Sequence, residues 1–155
     1  MAANLGTYSF LNIQATITGP GGSFAVGSSS GNSDEGISVS MLEDKDLMTI
    51  GADGSVMHSL RASNGARVTI RLLKTSPVNA QLNALYNFQK TSAIFWGQNV
   101  LVITDVVRGD VLASAQVAFA KQADVNYGKD GGMMEWSFQG TVDELLGTGV
   151  PDVNS

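Results

Sequence analysis

The chain's single histidine, His58, is the first place to look for chemistry, because an unperturbed imidazole alone changes charge near neutral pH. It has no company. With one histidine and no cysteine in 155 residues, multi-histidine metal sites, thiolate zinc sites, disulfides and thiol catalysis are all excluded. Arg108-Gly109-Asp110 spells an adhesion tripeptide, but it falls between two apolar runs, where a glycine is needed to turn the chain. Gly128-Lys129-Asp130-Gly131-Gly132 lacks the upstream glycine and the Ser or Thr after Lys that a phosphate loop requires. Gly19-Pro20-Gly21-Gly22 opens no helix, so a dinucleotide reading fails on context. Glu43-Asp44-Lys45-Asp46 crowds carboxylates together without the Asp-x-Asp-x-Asx-Gly order of a calcium loop, and reads as a solvated acidic loop. No nucleophile, base and orienting group can be assembled from these parts. Neither an enzyme, nor a cofactor, nor a metal is expected.

The elements that carry these residues are mostly strands. Leu11 to Thr18 alternates apolar and polar side chains, the mark of a half-buried strand, and Gly19 to Gly22 turns it toward a short partner at Ser23 to Val26. Gly27 to Ser33 has the composition of a mobile loop. Ile37 to Met41 alternates again. Leu47 to Ile50 and Val56 to Leu60 flank Ala52-Asp53-Gly54, so an extended hairpin over about 36–63 is expected, its arms reaching roughly 40 Å at 3.3 Å per residue. Arg67 to Leu72 places Val68, Ile70 and Leu72 on one face and Arg67 and Arg71 on the other. Ser76-Pro77 starts the one clear helix, over about 77–90. Val78, Leu82, Leu85, Tyr86 and Phe88 form its apolar side; Asn79, Asn83 and Asn87 recur on the other, where such poor helix formers suggest hydrogen-bonding use. Asn99 to Val107 is apolar on both faces, as a central strand would be. Val111 to Val117 returns after the Arg-Gly-Asp turn, Met134, Trp136 and Phe138 mark a last strand, and the turn-rich tail from Leu146 reads as peripheral. The expected fold is mainly β: one domain over 1–155, an antiparallel β-sandwich or barrel of seven to nine strands with one packed α-helix.

Charge is distributed in blocks. Residues 1–33 carry none; residues 34–53 carry six acids against Lys45; residues 61–121 carry seven bases against two acids; residues 122–155 carry six acids against Lys129. A monomer depends on interspersed surface charge for solubility, whereas the cores of interfaces are depleted of it. The uncharged arm therefore suggests a surface that other subunits cover. The net charge of −5 and a pI near 4.6 argue against tight nucleic-acid binding, as does the lack of aromatic residues interleaved with the basic block. An acidic wall can still surround DNA that it must not hold. The N-terminus lacks the basic and apolar stretches of a secretory signal, and no run is long enough for a membrane span, so a soluble protein made inside the cell is expected, without membrane insertion.

The stretch Arg61-Ala62-Ser63-Asn64-Gly65-Ala66-Arg67-Val68-Thr69-Ile70-Arg71-Leu72-Leu73-Lys74-Thr75-Ser76-Pro77-Val78-Asn79 resembles the strand-into-helix segment of tail tube proteins from contractile-tailed bacteriophages. The likeness runs over about residues 5–145 and is one of pattern. It implies a structural subunit, six copies of which form a ring whose inner β-barrel encloses a channel, with rings stacking into a tube; pyocin and type VI secretion tubes share the architecture. The implied partners are other copies of the chain, the sheath, the tape measure protein, the baseplate and tail terminator proteins, and double-stranded DNA passing through without specific binding. The implied location is the tail of the virion, after assembly in the host cytoplasm. The family's hairpin contacts the next ring, and Gly36 to Ser63 match it by position. Contacts between subunits or rings are accordingly expected at Glu43, Asp44, Asp46, Asp53, Arg67, Arg71, Asn79, Asn83 and Asn87. The acids would either face the channel or meet bases such as Arg67 and Arg71 of a neighbour, since carboxylates are not buried unpaired. The competing reading is a β-sandwich binding module that recognises carbohydrate or decorates a capsid; only Tyr8, Trp96 and Tyr127 offer surface aromatics for it.

Overall fold

A computed structural model describes residues 9–27 and 32–147, with side chains from Gly36 onward in the second stretch. Within these, nine strands and one α-helix follow a 3-10 turn at Phe10–Asn12. The strands are β1 (Ile13–Gly19), β2 (Gly22–Ala25), β3 (Asn32–Met41), β4 (Asp46–Ile50), β5 (Val56–Leu60), β6 (Gly65–Leu73), β7 (Asn99–Asp105), β8 (Asp110–Lys121) and β9 (Met133–Leu145), and the helix α1 is Val78–Gln89. Seven strands make one antiparallel sheet in the order β2-β1-β7-β8-β9-β6-β3; β4 and β5 pair only with each other. The expected barrel does not close within the chain, since β2 and β3 are both edges. The stretch expected to be a loop at Gly27 to Ser33 ends in strand β3 from Asn32, and its residues 28–31 lie outside the described ones, as does the tail beyond Gly147.

One face of the sheet carries the core. Ile17, Leu101, Val68, Ile70, Leu72, Phe119, Trp136 and Phe138 are all essentially inaccessible and pack against Val78, Leu82 and Leu85 of the helix. Phe119 stands at the centre of the aromatic packing, edge-on to Tyr86 and Trp136 and tilted against Phe138. Burying each such aromatic or aliphatic side chain contributes about 1.5–3 kcal/mol. β7 is central, as its composition implies, but only one of its faces is covered: Val100 and Val102 remain 44% and 37% exposed on the open side. Phe88, assigned to the helix's apolar side, is likewise 46% exposed, and Gln89 takes the buried place instead.

The helix crosses the sheet at one end of the strands and is tied down by amides at both of its own ends. Its start follows Ser76, whose hydroxyl accepts from Val78 N–H, and Pro77, already helical at φ −66°. Near that start, Asn79 Nδ2 donates to the Leu73 carbonyl (2.9 Å) and Asn79 Oδ1 accepts from the Trp136 indole (3.1 Å). At the far end, Gln89 and Asn99 exchange two hydrogen bonds (2.6 and 2.8 Å) in full burial, Gln89 also donates to the Pro20 carbonyl, and Asn99 to that of Val117. Gly19 makes room for this pair, since a Cβ there would lie 1.9 Å from Asn99 Oδ1.

Strand β8 holds an extra residue near its middle, and a second register shift against β9 follows between Phe119 and Lys121. Leu101 faces Ser114 and Asn99 faces Val117, so two steps on β7 match three on β8; β9 shows the same count, with Thr141 facing Ala115 and Gln139 facing Ala118. The extra residue sits at Gln116, which adopts φ +54°, a left-handed conformation uncommon for any residue but glycine. Side-chain parity switches there: Leu112 and Ser114 face the core before it, Val117 and Phe119 after it.

Candidate functional site

The second sheet, β4 with β5, stands apart from the core. Its root is held by Lys45, whose ammonium donates to the Ser63 carbonyl (3.1 Å) and to Asn64 Oδ1 (2.7 Å), while Arg61 N–H donates to the Lys45 carbonyl. Its tip is the five-residue loop Gly51 to Ser55, in which Gly54 alone takes a positive φ (+87°). Asp53 accepts there from both the backbone N–H and the hydroxyl of Ser55, and these bonds hold its carboxyl below the ordinary aspartate range. The hairpin proper is thus residues 46–60, and its five-residue arms span about 17 Å at 3.3 Å per residue, shorter than a hairpin that began at residue 36, because Ile37 to Met41 pair with β6 in the main sheet.

Pairing puts Asp46 with Leu60, Met48 with His58 and Ile50 with Val56 on one face, and Leu47 with Ser59 and Thr49 with Met57 on the other. Every apolar one of these side chains is at least half exposed, Leu60 by 82%. A two-stranded hairpin with nothing packed on either face is marginal in water. His58 Nδ1 lies 2.8 Å from Asp46 Oδ2 across the apolar face, with both side chains open to solvent.

The main sheet's open face is the second surface of interest. Cross-strand rows there read Thr18–Val100, Thr16–Val102–Ala113–Asp143 and Gln14–Thr104–Val111–Leu145. They are small and nearly uncharged. Toward β6 and β9 the same face carries Arg67 between Ser40 and Gln139, and Arg71 bound to Glu135 at 3.2 Å.

The residues singled out from the sequence divide accordingly. Glu43, Asp44 and Asp46 lie at the root of the hairpin and Asp53 at its tip, all exposed. Arg67 is exposed on the open face, and Arg71 is partly covered there. Asn83 bonds Gln122 at 3.0 Å, and Asn87 is exposed. Asn79 is 8% exposed with both ends of its amide bonded within the chain, where it ties the helix start to the core. The apolar hairpin face, Met48, Ile50, Val56 and Leu60, was passed over in favour of its acids, although its even spacing on both arms announced it.

Conventional chemistry has little to work with. A cleft of about 160 Å³ at the β7–β8 turn is lined by Phe10, Ile13, Ile37, Val39, Ile103 and Leu112, with Asp105, Asp110 and Glu144 also on its walls. Asp105 accepts from the N–H groups of Val107 and Arg108, closing the turn, and Asp110 accepts from Gly147 N–H, tying the segment after β9 to the start of β8, so both acids are occupied within the fold. Among the described residues no group of three or more His, Asp or Glu side chains is placed to hold a metal ion, and no helix is long and apolar enough to cross a membrane.

Comparison with known proteins gives one family. The model of the bacteriophage PhiTE tail tube protein family matches residues 5–147. No curated protein sequence matches the chain. Among solved structures, a chain of an extracellular contractile injection system, the PVC sheath–tube complex in its extended state, is similar at a TM-score of 0.46 and 9% identity over 86% of this chain and 87% of that one. A chain of the six-fold symmetrised baseplate of the anti-feeding prophage is similar at 0.47 and 9% identity, over 94% and 97%.

Proposed function

The chain belongs to the bacteriophage PhiTE tail tube protein family, and from that premise we propose that it is the subunit of a contractile tail's tube, six copies forming a ring and rings stacking around a channel for the tape measure protein and then double-stranded DNA. The virion tail is where such a structural protein belongs; assembly takes place in the host cytoplasm, with baseplate and terminator proteins at the two ends and the sheath outside. The role is architectural and needs no catalysis.

The observation that carries this reading is the bare hairpin. Six apolar side chains (Leu47, Met48, Ile50, Val56, Met57 and Leu60) stand half exposed or more on two strands that the other described residues do not cover. Burying the exposed half of each contributes roughly 1 kcal/mol, so a neighbour that covers the hairpin gains on the order of 6 kcal/mol before ordering costs. The acids Glu43, Asp44, Asp46 and Asp53 and the bases Arg67 and Arg71 then act at contacts between copies or face the channel. The small, nearly uncharged rows of β1, β7 and β8 suit a wall along which a polyanion slides, since no lysine or arginine stands in them.

Negative-stain microscopy and sedimentation of the purified, concentrated protein test the reading. Hollow tubes or six-membered rings are the expected result. A 16 kDa monomer at every concentration, and also in the presence of tail initiation components, would overturn it.

A further inference from the structure

The core face of the sheet is covered by the helix toward one end only. At the other, beside the β7–β8 turn, it runs out into the cleft of about 160 Å³, where Phe10, Ile13, Ile37, Val39 and Ile103 are all only partly buried. Three carboxylates stand on that apolar corner. Asp105 and Asp110 face each other directly across β7 and β8, and Glu144 on β9 faces Leu112. Like charges directly opposite one another destabilise a strand pair, and a carboxylate taken out of water needs an opposite charge. Asp105 is 3% exposed, yet no described group supplies that charge. Oδ1 of Asp105 accepts from two backbone N–H groups and Oδ1 of Asp110 from one, but the second oxygen of each accepts from no described group. Nor is Oδ2 of Asp105 sealed away: among the described residues, Arg108 Nε is the one side-chain polar atom both fully buried and unbonded. The free oxygen belongs to the cleft wall. Arg108, the nearest base in the sequence, makes no ion pair with any of the three carboxylates.

We propose that this cleft seats a primary ammonium on an unbranched aliphatic stem: the lysine side chain of a partner protein. One ammonium between Asp105 and Asp110 relieves their repulsion, and its three N–H donors match the oxygens left without a bond. The apolar walls cover the methylene stem, which lysine buries readily while its charged head stays on polar groups. A metal ion does not suit the place, because no three of the acidic side chains are placed to hold one. A lysine tethered to a docked protein is favoured over a free amine, since a second contact makes its entry intramolecular, whereas a lone amine has only this small cleft to hold it. The site goes beyond the tube reading and does not depend on it.

The probe is n-butylammonium, the end of a lysine side chain, with 1-butanol as its uncharged counterpart. Methyl NMR of Ile13, Ile37 and Ile103 in the unassembled protein should show saturable shifts, with n-butylammonium binding about tenfold more tightly than 1-butanol. Asp105→Asn keeps an oxygen for the Val107 and Arg108 N–H groups and should abolish the preference. Should that variant fail to fold, Glu144→Gln at an exposed position serves instead, weakening n-butylammonium alone by about threefold. Equal affinity for the two probes in the parent protein, or shifts at none of the three isoleucines, would overturn the site and leave the tube reading untouched. The source of the ammonium is read in isolated tail particles. Carbodiimide coupling joins a carboxylate to an amine in direct contact, and mass spectrometry should find Asp105, Asp110 or Glu144 linked to a lysine of another chain. Coupling confined to open acids such as Glu43 and Asp44, or a free diamine recovered from the cleft, would overturn the assignment to a partner's lysine.

Discussion

Replacing Gln89 by leucine removes one half of the buried amide pair that fastens the end of the helix to β7. Asn99, with no exposed surface, loses the donor to its Oδ1 and the acceptor of one Nδ2 proton, and the Pro20 carbonyl loses a donor as well. A buried polar group left without a partner costs about 1–3 kcal/mol, so a loss of about 3 kcal/mol is expected. For a chain of this length each kcal/mol lowers Tm by about 2–4 °C, giving a drop of roughly 6–12 °C. Asn99→Leu should cost a similar amount, because it strands Gln89 and the Val117 carbonyl. The double variant places two apolar side chains face to face and should lose less than the sum of the singles, with a coupling of about 1–3 kcal/mol. Urea denaturation followed by circular dichroism, at protein concentrations below assembly, measures all three. No ion takes part, so raising the salt concentration should leave the coupling unchanged. Additive single effects, within about 0.5 kcal/mol, would refute the account of the pair as one unit.

Gly19→Ala should destabilise by a comparable amount with both amide residues left in place, because its Cβ would sit on Asn99 Oδ1; chemical melts comparing it with Gly22→Ala, where the nearest atom is 3.9 Å away, isolate the steric cause. Asn79→Ala should cost about 1–3 kcal/mol by orphaning the wholly buried Trp136 indole N–H, with near-ultraviolet circular dichroism reporting the altered tryptophan. Amide exchange over residues 46–60 should be fast in the monomer and slow in the tube, and equal rates in the two would contradict docking of the hairpin. Because the Asp53 carboxyl is held below its ordinary value, its contribution to the Gly51–Ser55 turn is present above the unfolded aspartate pKa and is lost as pH falls through the lower folded one; the Ser55 amide resonance should report that midpoint.

Much of the fold could be read from short-range pattern. Leu11 to Thr18, Val56 to Leu60 and Arg67 to Leu72 lie within or around their strands because alternation is a local property of a half-buried sheet. The helix starts where Ser76-Pro77 places it. What escaped depended on distant partners. Gln89 and Asn99 look like surface residues until the chain folds them together, and Asn79 looks like one of three stacked asparagines until the Trp136 indole arrives 57 positions later. Val100 and Val102 read as core because two-sided apolarity ordinarily means two-sided burial; here the second face is left open by the other described residues. The candidate site was half legible. Its acids stood out as a cluster, whereas its apolar face is short, interrupted by His58, and easily taken for another core strand.

The extra residue in β8 has a bearing on how this chain tolerates change in length. Ala115 and Gln116 are two consecutive outward residues between the buried Ser114 and Val117, so removing Gln116 leaves an unbroken alternation in which Val117 and Phe119 still face the helix. Opposite it stands Gly140, where a Cβ would press within 2.9 Å of the Ala115 carbonyl and the Val117 side chain, so the partner strand is shaped to the same offset. A single-residue deletion at Gln116 is thus the change in length that β8 is expected to absorb, whereas an insertion on β9 near Gly140 would put Phe138 and Val142, both buried on one face, onto opposite faces.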